Sequence, residues 1–141
     1  MKILNNQNRI RLTLSPLEKF ALKALRQMKL KSDSVAIAFV TDSEIARLNK
    51  IYRKKNKPTD VLSFPAQSAK HPNKKKFLGD IAIAPAVARR YARKNGRTLE
   101  NEICVLILHG ILHLLGYDHE TDQGQMDRVE RKLRRKLGLQ R

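Results

Sequence analysis

Three of the chain's four histidines fall within one short stretch, His109-Gly110-Ile111-Leu112-His113-Leu114-Leu115-Gly116-Tyr117-Asp118-His119. On a helix, residues 109 and 113 share a face, with Cβ atoms about 5–6 Å apart, close enough to hold one ion between them. A third ligand cannot come from the same face of a continuing helix. Gly116, which adopts backbone conformations closed to other residues, can break the helix and return His119 towards the first two. Three imidazoles with one open vertex describe a catalytic zinc site. Burying three imidazoles without partners costs free energy, so core packing is the poorer account. Zinc so held acidifies water to a pKa of ~7 or polarises a phosphoryl oxygen.

The elements that must position these residues can be read outward from the cluster. Thr98 caps a helix over 99–115, apolar on most sides around Cys104 to Leu108, which makes it the central, buried one. A basic helix follows from about Asp122 to Leu137 and stops at Gly138. Upstream, Lys2–Leu4, Val35–Val40, Val61–Phe64 and Ile81–Ala84 read as strands. Ser15-Pro16-Leu17-Glu18 reads as a capping box opening a helix through Leu17, Phe20, Ala21, Ala24 and Met28. Thr41-Asp42-Ser43-Glu44 is a second box, and Pro85 begins a helix ending at Asn95-Gly96. Residues 66–76 are polar and read as a mobile loop, in which His71 is solvated. The order predicts an α+β fold: a small mixed β-sheet of about four strands with about five helices, in a single domain over 1–141.

Composition narrows the partner. Thirty Lys and Arg against thirteen Asp and Glu give a formal charge of +17, which attracts polyanions and makes nucleic acid the favoured partner. With three Tyr, four Phe and no Trp, contact with the backbone outweighs base stacking. No apolar run is long enough to span a bilayer, and the first residues lack the apolar stretch of a secretory signal. A lone Cys104, read as a small buried side chain, excludes an intrachain disulfide and agrees with a reducing, cytoplasmic compartment.

The histidine spacing is similar to the metzincin peptidase pattern H-E-x-x-H-x-x-G-x-x-H, except that Gly110 stands where the general-base glutamate belongs. The ligand spacing is kept, and the peptidase's proton acceptor is lost. The full string resembles the signature of the YbeY family of metal-dependent endoribonucleases, H-G-x-L-H-L-x-G-Y-D-H. Leu48-Asn49-Lys50-Ile51-Tyr52-Arg53 with Pro58-Thr59-Asp60-Val61-Leu62-Ser63-Phe64-Pro65 resembles that family's L-N-x-x-Y-R…P-T-D-V-L-S-F-P, and Leu78-Gly79-Asp80-Ile81 its L-G-D-I. The chain departs from it at Lys54 and Asn56, where members commonly carry Gly and Asp, and in its high positive charge.

The resemblance implies a cytoplasmic, zinc-dependent, single-strand-specific endoribonuclease. It would act in ribosomal RNA processing, including the 3′ end of small-subunit rRNA, and in ribosome quality control, with the ribosome or its small subunit as partner. It implies that His109, His113 and His119 bind one Zn2+, that His113 and Arg53 are needed for catalysis, and that Arg53 is the basic residue activity depends on. Arg53 would grip the scissile phosphate with its planar fork of donors; read alone, it serves equally as a surface residue closing a helix.

Asp60, Asp80 and Asp118 are the carboxylates available to take the other N–H of zinc-bound imidazoles. For Asp60 and Asp118 a turn or cap role is an equal reading. Ser63 has no evident activating partner and reads as strand. Two other functions remain open: a non-catalytic zinc protein binding rRNA or the ribosome, and a zinc hydrolase of peptides or small molecules, which Gly110 and the charge disfavour.

Overall fold

A computed structural model describes residues 1–66, 77–118 and 121–139; most of the polar stretch 66–76, with His71, lies outside them, as does His119. Among the described residues four strands and five helices follow one another in the order β1 (Lys2–Asn5), α1 (Leu14–Gln27), β2 (Val35–Phe39), α2 (Asp42–Arg53), β3 (Val61–Pro65), β4 (Gly79–Ile83), α3 (Pro85–Lys94), α4 (Leu99–Leu114) and α5 (Gln125–Leu137). The strands form one mixed sheet in the order β1-β2-β4-β3, so the α+β expectation is met. β1, β2 and β4 run parallel, with Ile37 opposite both Ile3 and Ile81. β3 is the antiparallel edge, pairing Ser63 with Ile81.

Side chains alternate between the two faces of a strand, and the core divides accordingly. On one face Val35, Ile37, Phe39, Ile81 and Ile83 pack with residues of α1, α4 and α5. On the other, Leu62 and Ala82 pack with Ile45 of α2 and Val87 of α3. α4 is enclosed almost all round, from Glu102 to Leu114, as its apolar composition predicts.

Local signals fix most element ends. Thr98 Oγ1 accepts the backbone N–H of Asn101 at 3.1 Å, and Thr41 Oγ1 that of Glu44 at 3.1 Å. The second box is only half made, because the Glu44 carboxylate accepts two hydrogen bonds from Arg47 at 2.8 Å instead. The Ser15 box does not form: α1 begins at Leu14 with Thr13 at its cap, and no side chain caps it. Leu12 and Leu14 pack against the core there. Their burial outweighs one exposed cap bond worth about 1 kcal/mol, and Pro16 fits anywhere in a first turn whose N–H groups are unpaired. Lys54 ends α2 in the left-handed region at φ 57°, a conformation that favours glycine.

Candidate functional site

α4 carries His109 and His113 on one face, as the spacing requires. Their Nε2 atoms lie 3.1 Å apart, and the rings meet edge to face with centroids 4.7 Å apart. Both side chains are partly exposed, on a helix whose neighbouring positions are buried. Gly110, between them, is packed from the other side: a Cβ there would stand 2.9–3.2 Å from three carbons of Ile81. The missing glutamate thus marks the point where α4 sits directly on β4. The next residue across the sheet, Ser63, donates its hydroxyl to the Gly110 carbonyl at 3.3 Å, a structural role.

A residue that sequence reasoning missed completes this face. Glu130 of α5 is only 7% exposed, and its Oε1 lies within hydrogen-bond distance of His109 Nδ1, at 2.8 Å. Its Oε2 accepts from the Arg134 guanidinium at 2.8 Å. The signal was present in the sequence: Met126, Glu130, Leu133 and Leu137 form the buried stripe of α5, with one carboxylate among three apolar side chains. What starts the helix there is Asp122, which accepts the backbone N–H groups of Gly124 and Met126 at 2.9 and 2.8 Å.

Past α4 the chain reverses at Gly116, with φ 99°, and the Tyr117 N–H returns to the Leu112 carbonyl at 3.1 Å. The Asp118 carbonyl accepts from the N–H groups of Thr121 and Asp122. His119 lies outside the described residues. Among the described residues no set of three His, Cys, Asp or Glu side chains surrounds a single point. The two placed histidines nonetheless suit a cation, since two nitrogens held tetrahedrally at about 2.05 Å from one zinc stand about 3.3 Å apart.

The aspartates divide. Asp60, just ahead of β3, is partly buried, and burial pushes its carboxyl above the usual carboxylate range; the negative charge of Glu102 adds to this, while His109 opposes it. Asp60 therefore lies within electrostatic reach of the histidine face. Asp80 does not belong there. It is exposed on β4, next to Ile81, and alternation turns it to the face away from α4.

Arg53 is the last residue of α2, exposed, and makes no hydrogen bond or ion pair among the described residues. Beside it Tyr52 is 63% exposed, edge-on to Phe64 with ring centroids 5.0 Å apart. The connector to β3 is pinned by the buried Asn49, whose amide donates to the Lys57 carbonyl at 2.9 Å. No hydrogen bond or ion pair joins Arg53 to His109 or His113 among the described residues.

A family model described as Endoribonuclease YbeY matches residues 2–138. A protein named Endoribonuclease YbeY in Solibacter usitatus is 51% identical over 98 residues, 70% of this chain and 62% of that one. The protein of the same name in Aquifex aeolicus is 46% identical over 117 residues, 83% and 76% of the two chains. That in Sulfurovum is 37% identical over 139 residues, 96% and 90% of the two. The fold is similar to the solution structure of TM1509 from Thermotoga maritima, with a TM-score of 0.65 and 28% identity over 97% of this chain and 89% of that one. A match running nearly end to end, over both the sheet and the histidine-bearing helix, leaves one assignment: this chain belongs to the Endoribonuclease YbeY family.

Proposed function

We propose that this protein is a zinc-dependent endoribonuclease that cuts single-stranded RNA. Its place would be ribosomal RNA processing, at the 3′ end of small-subunit rRNA, and ribosome quality control in the cytoplasm, with the whole stretch 1–141 acting as one domain. Family membership supports the nuclease class. The observation that carries the zinc reading is the approach of the His109 and His113 Nε2 atoms to 3.1 Å on a helix whose other positions from Glu102 to Leu114 are buried. His109, His113 and His119 would hold the ion. When bound, zinc supplies Lewis acidity, which polarises a phosphoryl oxygen and makes water a better nucleophile near neutral pH.

The chain's own residues supply the rest. Arg53, unpaired among the described residues, has its full guanidinium fork available for a phosphate. The buried Asn49 fixes the connector that follows it, so the distance from Arg53 to β3 is held by structure rather than by a slack loop. The charge of +17 draws RNA to the surface before any specific contact forms.

A non-catalytic rRNA- or ribosome-binding factor is the second reading, favoured by that same charge. Gly110 argues against the peptidase alternative, since it supplies no general base and a Cβ there would crowd Ile81. Purified, nuclease-free protein is given rRNA with and without zinc, alongside His113→Ala. Cleavage that needs zinc and disappears in the variant, together with its bound metal, supports the enzyme. Binding without cleavage in every sample supports the factor.

A further inference from the structure

A carboxylate on the apolar face of a helix costs free energy unless it is fully paired. Glu130 is such a group, and its two oxygens are divided between two elements. Oε1 faces His109 Nδ1 on α4, and Oε2 faces Arg134 one turn along α5, each at 2.8 Å. The Arg134 side chain is itself only 18% exposed. An ionised carboxylate can only accept, and a neutral imidazole has a single N–H. In a neutral ring that hydrogen would have to sit on Nδ1, leaving the lone pair on Nε2. Nε2 is the atom that faces His113.

We propose that Glu130 is a positioning residue. Held by Arg134, it locks His109 in the Nδ1–H tautomer and aims its Nε2 lone pair at the point it shares with His113. This rests on the reading that the histidines hold zinc. It adds that α5, remote in sequence, sets how well they do so. A carboxylate that merely fastened α5 to α4 would serve as well with an amide in its place. A positioning carboxylate would not. Arg134 can only donate, so a glutamine would turn its oxygen to Arg134 and its NH2 to His109. Nδ1 would then have to accept, and the proton would move to Nε2.

The test uses the full chain, stripped of metal, in alkaline buffer, with the ring nitrogen shifts themselves reporting that each imidazole is neutral. Long-range proton–nitrogen correlation spectra report each histidine's tautomer, with His109 assigned through His109→Ala. The wild type is expected as the Nδ1–H form and Glu130→Gln as the Nε2–H form. In competition with a chromophoric chelator, zinc affinity is expected to fall about 10–100-fold in Glu130→Gln. An unchanged tautomer in the variant, or zinc affinity within about twofold of wild type, overturns the proposal. If Glu130→Gln does not fold, the wild-type spectrum alone decides, since an Nε2–H His109 is incompatible with it. A wild type that shows the Nδ1–H form yet takes up no zinc sinks the metal reading and leaves the tautomer assignment standing.

Discussion

At position 110 a hydrogen in place of a side chain lets α4 close on β4. Ile81 is 1% exposed and lies where a Cβ at 110 would go. Gly110→Glu, which restores the peptidase string, is therefore expected to lose at least about 3 kcal/mol through overpacking and a buried carboxylate. It should gain no peptidase activity; denaturant unfolding and a peptide-cleavage screen check both.

Cys104 offers a second residue-scale test. Burial pushes its thiol up to about 12, with Glu100 adding to the shift, and so holds it as the inert thiol. Iodoacetamide at pH 8 should leave the native chain unmodified and label it fully once unfolded. The sign of the pH dependence follows. The unfolded thiol ionises near 9 and the folded one near 12, so its contribution to stability is complete below pH 9 and is lost as pH rises from 9 to about 12. Cys104→Val should flatten the fall in melting temperature across that window.

The elements differ in how firmly their ends are marked. Thr98 caps the helix that carries both placed histidines, whereas Ser15 caps nothing. Thr98→Ala should cost about 1 kcal/mol in denaturant unfolding and Ser15→Ala close to none, although the sequence recommends both as caps. The end of α2 provides the opposite case. Lys54 holds φ 57°, and Lys54→Gly is expected to stabilise by about 0.5–1 kcal/mol, relief of left-handed strain exceeding the added freedom of the unfolded chain. The glycine that the resemblance leads one to expect here would suit that angle. Both measurements are thermal or denaturant melts of single variants.

Over the whole molecule, charge is arranged as well as abundant. The buried stripe of α5 leaves Arg128, Arg131, Lys132, Arg135 and Lys136 on its outer side, all exposed. Arg131 is paired with Asp127 at 3.0 Å. Replacing Arg128, Lys132, Arg135 and Lys136 together with Gln should spare the fold, because none is buried. If RNA tracks this face, the slope of log binding constant against log salt should flatten by up to about 3 for single-stranded RNA, at about 0.7 per phosphate contact. An unchanged slope would place the RNA on another face, such as that of Arg89, Arg90 and Arg93 on α3. No described helix is long and apolar enough to cross a membrane, which agrees with the expectation from the sequence.

What the sequence determined by itself was local. A four-residue spacing on an unbroken helix is geometry the backbone guarantees, so the pairing of His109 with His113 could be read directly. The caps at Thr41 and Thr98 and the reversal at Gly116 were legible for the same reason, since each is settled within a few residues. Tertiary structure decided whatever depends on elements distant in sequence coming together. Glu130 lies 21 residues beyond His109 and meets it only because α5 buries its apolar stripe against α4. Asp80 is excluded because strand pairing fixes which face it takes. Gly110 reads as a lost catalytic residue until Ile81 is seen beneath it. Spacing along a helix fixes angles, whereas the choice of neighbour belongs to the packing of the whole core.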